Sequence, residues 1–351
     1  MADTLHAQFQ IVTPVFCAGA DQKGPSEIRP FSIRGALRWW YRAIDRDFFD
    51  RESKIFGATT GSGSSSPVSL QLGHWVTGAK SLRDRLQPQM AQTSGAAYLG
   101  YTFYLGNNER KAIMPGGQSL DLRLAWNWLP ANETEQDYVR RAWAAALWLF
   151  GHLGGIGTRS RRGYGTLALV KWQGWKECGL LGTAHGAESP EVWKKRFESG
   201  WRLIRQWFDP PEGAKHQHFG ADLKVYLWNN GFNDWKAALD EVGRTLQAFR
   251  SKREIHKPEL LAAFGLPIRF RNHPAQFASP RKFSRAASPL QIRVVKIGEK
   301  YHPLLWRAHG PLTPHEALEL EYKGNYAAQP PQRWDRALNE FLASIAAQCV
   351  P

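Results

Sequence analysis

Cysteine is scarce: Cys17, Cys178 and Cys349 are the three in a chain of 351 residues. So few, so scattered, they exclude a disulfide framework and a Cys-rich zinc site, and they fit a reducing cytoplasm. Acidic residues are also in the minority, with 31 Asp and Glu against 46 Lys and Arg and a formal net charge of +15. This excess calls for a polyanionic partner, nucleic acid first and an anionic membrane second. No apolar run approaches the roughly 18 residues that span a bilayer. Met1-Ala2-Asp3-Thr4-Leu5-His6 lacks a basic stretch leading into an apolar one, so no secretory signal is expected and the chain is assigned to the cytoplasm. There is no nucleophile elbow and no Ser/His/Asp arrangement. His216-Gln217-His218, with His185 upstream, has no Cys or carboxylate close by at ligand spacing and reads as a polar loop. Neither a metal nor a cofactor is expected. Disorder is excluded by a 43% hydrophobic content with 16 Trp.

The length gives room for two domains or three. In the first half, alternation predicts strands at His6–Phe16, from Pro67 to Leu72, at Tyr98–Leu105 and at Leu120–Trp128. Helices are predicted from an N-cap at Ser32 through Asp45 and from Thr134 to Gly151, and Thr166–Trp172 closes the series as a strand. Strand, helix, strands, helix, strand is the split βαβ, ferredoxin-like order also used by RNA-recognition domains. The second half predicts helices at Trp193–Phe208, Trp235–Ser251 and Arg333–Ala347. It also predicts a strand at Leu223–Trp228 and a hairpin of Leu290–Ile297 with Tyr301–Trp306. Ala263-Phe264-Gly265 leading to Ser288-Pro289-Leu290 echoes Ile55-Phe56-Gly57 leading to Ser66-Pro67-Val68, a weak sign of internal duplication. The expected class is α+β.

The densest motif is Gly151 to Gly165, with six glycines and three arginines. Glycine lets backbone approach a ligand closely, arginine forks fit phosphate oxygens, and Tyr164 offers a face on which a base stacks. The loop lacks a P-loop's Lys-Ser/Thr ending and follows a helix, which excludes a dinucleotide fingerprint. Arg34, Arg38 and Arg42 share one helix face opposite Ile33, Leu37, Trp40 and Ile44. Arg34, unfavourable against the helix dipole, reads as a ligand contact, and Arg42 as a solvated residue paired with Asp45 or Asp47. From Arg244 to Lys300 there are 13 basic residues against 3 acidic, with interleaved Phe residues. There the segment Arg269 to Arg285 reads as a loop, Phe264 and Phe270 as core, and Arg281, Lys282 and Arg285 as RNA contacts. Asp21 beside Lys23, and His152 beside the glycine-arginine loop, are the acid-base candidates. His152 is better read as capping helix-end carbonyls.

Thr13-Pro14-Val15-Phe16, Gly19-Ala20-Asp21, Arg29-Pro30, the run Ser32 to Trp40 and Phe56-Gly57 resemble the first half of a CRISPR-associated RAMP protein. Gly154 to Gly165 resembles that superfamily's glycine-rich loop. The Arg-Gly-Ala-Leu-Arg-Trp-Trp helix with Ser-Arg-Arg-Gly-Tyr-Gly is most similar to the first RAMP subunit of Cmr (type III-B) effector complexes. The match covers about residues 8–170 and is weak beyond Lys171. It implies two tandem ferredoxin-like (RRM-like) βαββαβ domains packed together, residues 1–175 and a divergent 176–351. It also implies a non-catalytic subunit of an antiviral ribonucleoprotein that caps the complex near the 3′ end of the CRISPR RNA. The implied partners are CRISPR RNA, complementary target RNA and other RAMP subunits. Carried over by position, Arg34, Arg38, Gly154, Gly155, Gly157, Arg159, Ser160, Arg161, Arg162, Gly163 and Tyr164 would face RNA. The alternative is a metal-independent endoribonuclease that processes CRISPR repeat RNA with His152 as catalyst.

Overall fold

The computed structural model describes residues 4–59, 63–82, 94–103, 110–211, 213, 216–220, 223–252, 258–265, 268–270, 273–278, 287–310, 318–322, 325–329 and 331–351. The chain opens with β1 (Thr4–Ile11) and a short β2 (Ser26–Ile28), then α1 (Pro30–Arg42) and α2 (Phe48–Phe56). β3 (Val68–Leu72), β4 (Val76–Gly78), β5 (Lys80–Ser81), α3 (Gly95–Leu99) and β6 (Lys111–Ala112) lead to β7 (Ser119–Trp126), α4 (Glu133–Leu153) and β8 (Leu167–Gln173). Alternation in β1 turns Leu5, Ala7, Phe9 and Ile11 inward and His6 and Gln8 outward. The main sheet has the order β3-β7-β1-β8. All its pairs are antiparallel, with Phe9 opposite both Leu120 and Leu169. α1 and α4 cover it, burying Ile33, Leu37 and Tyr41 from one and Trp143, Leu147 and Phe150 from the other.

α1 begins at Pro30, earlier than the expected cap at Ser32. A proline in the first turn has its φ already set for a helix and brings no orphan N–H. The expected strand at Tyr98–Leu105 is also corrected, because Gly95–Leu99 is helical and Tyr101–Phe103 is a 3-10 turn. Ser94 caps that helix at Ala97 N (3.3 Å), and Asp240, far along the chain, accepts from Ser94 Oγ (2.7 Å) and Ala96 N (3.3 Å). A partner remote in sequence overrides local strand propensity.

α5 (Lys176–Leu181) and α6 (Pro190–Trp207) follow, and α6 seats Phe197 against Trp148 of α4, ring centroids 5.2 Å apart. The second half then runs β9 (Val225–Leu227), α7 (Trp235–Arg250), α8 (Pro258–Leu261), β10 (Ile268–Phe270), β11 (His273–Ala278), β12 (Leu290–Ile297), β13 (Lys300–Arg307), β14 (Leu318–Tyr322), β15 (Asn325–Gln329) and α9 (Pro331–Ile345). The expected loop from Arg269 to Arg285 is therefore partly strand. β10 and β11 join β14 and β15 in one sheet, and residues 279–286 lie outside the described residues.

β12, β13 and β9 form an antiparallel sheet in that order, and Trp228 bridges Cys349 on the far side of β9. Numbered among its own strands alone, each sheet has the order second, third, first, and the bridge at Cys349 stands where β8 stands in the first sheet. The echo seen in the sequence is repeated in detail. Gly57 and Gly265 end their helical segments at φ/ψ of 80/162° and 99/160°. Ser66 and Ser288 each donate Oγ to the carbonyl two residues on, at 2.8 and 3.1 Å. Pro67 O accepts from Asn127 N (2.7 Å) just as Pro289 O accepts from Ala308 N (2.9 Å). The halves are not separate cores: one cluster joins Phe9 and Trp148 to Leu304 and Trp306, the other joins Phe16 and Tyr164 to Leu239 and Ile292.

Candidate nucleic-acid interface

The glycine-arginine loop leaves α4 at Gly154 and returns to β8 through Thr166, which bridges Gly155. It folds back on the segment after β1. Thr158 N donates to Phe16 O (2.7 Å), Gly165 N to Pro14 O (2.8 Å), and Thr13 Oγ1 to Gly163 O (2.7 Å). At Gly157 (φ 86°) a Cβ would lie 2.4 Å from Phe16 O, and at Gly165 (φ 68°) 1.9 Å from Ile156 O. Here glycine permits chain to approach chain, a role the sequence reading had given to a ligand. Gly154 and Gly163 are buried and Gly155 half-buried, so the accessible part of the loop is the crown from Gly157 to Arg162.

Within that crown the three arginines diverge. Arg159, in the left-handed region at φ 63°, stays at the surface with its guanidinium 4.5 Å from the centroid of Tyr101. Ser160 is half-exposed beside it. Arg110 donates to Thr158 Oγ1 at 3.1 Å and adds a further cation. Arg161 turns inward, donating Nη1 to Gln217 Oε1 (2.7 Å) and to Ser288 O (3.0 Å). Arg162 donates to Phe264 O, and its backbone pairs with Ile292. Burial lowers the pKa of both. Redirecting Arg162 to RNA would take the donor from the buried Phe264 carbonyl, and redirecting Arg161 would give up two hydrogen bonds. Tyr164 is corrected outright. It is fully buried, donates its hydroxyl to Ala96 O (2.8 Å) and packs edge-on to Phe103, so its ring meets no base.

The arginine face of α1 is also divided. Glu52 of α2, unnoticed in the sequence, is buried between Arg38 and Arg42, with Arg42 Nη2 at 2.8 Å from its Oε1. Burial alone would raise the Glu52 carboxyl, but hydrogen bonds from Arg42 and Arg38 outweigh it and hold the pKa below the usual range. Arg38 also donates to Gly57 O (3.0 Å). Asp45, the expected partner of Arg42, instead accepts from the hydroxyls of Tyr41 and Tyr138. Arg34 has no acidic partner among the described residues; burial and Arg38 lower its pKa. This helix adjoins the loop: Glu27 N, just before α1, donates to the carbonyl of Cys17, the neighbour of Phe16 (2.8 Å), and the Arg161 guanidinium lies 5.8 Å from the ring of Trp39 on α1. Phe31 stands almost fully exposed there. The face therefore comprises Arg34, Gly157, Thr158, Arg159, Ser160, Arg110 and Tyr101. Arg281, Lys282 and Arg285 lie outside the described residues.

His152 is buried and committed at both nitrogens. Nδ1–H donates to Trp148 O (2.7 Å) and Nε2 accepts from Ala184 N (2.9 Å). Burial pulls its pKa down to about 3, so it is a neutral structural residue. Asp21 sits in an exposed turn and accepts from Lys23 N (2.8 Å). Among the described residues no group of His, Cys, Asp and Glu is arranged to hold a metal, and no helix is long and apolar enough to cross a membrane.

The first repeat and its loop define the class. Residues 8–168 match the family model of the RAMP superfamily, so the first half of this chain is similar to a RAMP unit. Curated relatives that the chain resembles are subunits of the Cmr system. It is 26% identical over 296 residues to Cmr subunit Cmr1-1 of Pyrococcus furiosus, covering 78% of each chain. It is 27% identical over 178 residues to Cmr1-2 of the same organism, covering 45% of this chain and 90% of that one. The crystal structure of Cmr1 from P. furiosus superposes with a TM-score of 0.60 at 18% identity, over 97% of this chain and 96% of that one. A chain in the cryo-EM structure of a type III-B Cmr-beta complex bound to cognate target RNA gives 0.60 at 12% identity, over 99% and 100%. At those identities the structural likeness concerns the fold.

Proposed function

We propose that this chain is a non-catalytic RNA-binding subunit of a type III-B CRISPR ribonucleoprotein. In it, the chain caps the complex near the 3′ end of the CRISPR RNA and helps engage complementary target RNA beside other RAMP subunits. In this reading the two halves are tandem ferredoxin-like units, 1–175 and 176–351, with α5 and α6 opening the second. The observation that carries the proposal is the outward face where the loop crown meets the start of α1. There Arg34 lies without an acidic partner among the described residues, and the Arg159 guanidinium stacks on the Tyr101 ring, a contact that RNA can replace. An exposed cation–π contact contributes about 0.5–1 kcal/mol, little enough for phosphate to redirect the guanidinium. Tyr101, 38% exposed, then takes the stacking role expected of Tyr164.

The test is a salt titration of single-stranded RNA binding by the full chain. Each phosphate contact contributes a log-log slope of about −0.7, so Arg159→Ala should make the slope shallower by about that amount. Tyr101→Leu should weaken binding by about 1–3 kcal/mol without changing the slope. Unchanged affinity and slope in both variants would refute the interface. Metal-independent cutting of repeat RNA that His152→Ala abolishes would replace the proposal with the processing enzyme.

A further inference from the structure

α4 is 21 residues long, and its C-terminal carbonyls carry the negative end of the helix dipole. They are satisfied from the other half of the chain. Arg293, on β12 and 3% exposed, donates Nη1 to Gly154 O (2.8 Å) and Phe150 O (3.4 Å). Its Nη2 donates to Gly151 O (2.6 Å) and to Leu167 O. Trp306 on β13 donates Nε1 to Leu153 O (3.2 Å). No carboxylate pairs with Arg293 among the described residues, so the dipole end and four carbonyls stand where a counter-ion would.

Two of those carbonyls bracket the glycine-arginine loop, Gly154 at its start and Leu167 just past its end. One rigid fork therefore holds both stems at a fixed separation. The residue before it works in the opposite direction: Ile292 N donates to Arg161 O in the crown (3.1 Å). A desolvated charge is expensive, and an apolar side chain would fill the space more cheaply. What the guanidinium adds is geometry, five donors in one plane, which a lysine ammonium lacks.

We propose that Arg293 is a positioning residue: from the second half of the chain it clamps the stems of the loop and so sets the shape in which the crown meets RNA. The inference rests on the RNA-binding reading of that crown. Its test uses the full chain as Arg293→Met and Arg293→Lys, with Arg159→Ala as the reporter of the RNA contact itself. Amide hydrogen exchange and RNA binding are measured at a temperature where circular dichroism shows each variant folded.

Both Arg293 variants should exchange at least about tenfold faster across residues 154–167, with the β1–β7 sheet amides unmoved. They should bind RNA about threefold to thirtyfold more weakly, Lys less so than Met. Wild-type exchange in the loop overturns the proposal, as does an acceleration spread evenly over the protein, which marks mere structural cement. Faster loop exchange with wild-type RNA affinity overturns it too, provided Arg159→Ala weakens binding. If Arg159→Ala leaves binding intact, the RNA reading falls and loop exchange alone decides the clamp. Should Arg293→Met not fold, Arg293→Lys decides by the same criteria.

Discussion

Arg159, Arg161 and Arg162 lie within four residues, yet only Arg159 keeps its fork at the surface. The sequence shows three guanidiniums in a glycine-rich setting, which suffices to nominate the loop. It cannot say which way each points, because the deciding acceptors, Ser288 O and Phe264 O, belong to segments more than a hundred residues on. The same holds for Tyr164: its acceptor, Ala96 O, sits 68 residues back in a helix that overlaps the start of the expected Tyr98–Leu105 strand. His152 does bond a carbonyl in the last turns of α4, that of Trp148, and its burial has a measurable consequence. Its pKa falls from 6.5 unfolded to about 3 folded. Its contribution to stability is thus complete above pH 6.5 and is lost as pH drops towards 3. Compared with His152→Gln, wild type should lose its advantage at up to about 1.4 kcal/mol per pH unit between pH 6 and 4. Urea melts at several pH values read this directly, and parallel curves would show that the histidine titrates normally.

At the scale of elements, α1, α4, α6, α7 and the β12–β13 hairpin are legible because their apolar period is strong, and α4, α6 and α7 also carry local caps. Asn132, Ser189 and Asp234 each accept a backbone N–H three residues on. Glu52 was legible in principle. The link between α1 and α2 runs only from Ala43 to Asp47, so an acid on α2 falls beside Arg38 and Arg42. The loop backbone was not legible, since its glycines answer to Phe16 O and Ile156 O rather than to any periodic pattern. Gly165→Ala places Cβ 1.9 Å from a carbonyl at φ 68°, and should cost on the order of 3 kcal/mol in a urea melt. Gly186, at φ 73° with nothing within 4 Å, supplies the control: its alanine variant should lose only about 1–2 kcal/mol. Equal losses at both sites would mean that the loop does not close on itself as described.

At the scale of the molecule, the Phe-Gly and Ser-Pro echo pointed to duplication, and matching backbone hydrogen bonds at Pro67 and Pro289 give it physical content. The sequence could not show how the repeats are joined, because the joining contacts are backbone approaches rather than side-chain motifs. Gly243 illustrates this. In the sequence it is a weak point in α7, where alanine would gain about 1 kcal/mol of helix propensity. In the structure α3 of the first half rests on it, and an added Cβ would lie 2.2 Å from Gly95 O. Packing outweighs propensity here, so Gly243→Ala should lower the melting temperature although it improves the helix. Gly35 reverses the balance: it is exposed on α1 with nothing within 4 Å, and Gly35→Ala should raise the melting temperature. Thermal melts of the two variants give opposite signs if α3 docks on α7. A shared rise would mean that this junction is loose, and that the hold of the second half on the glycine-arginine loop depends on Arg161, Arg162 and Arg293 alone.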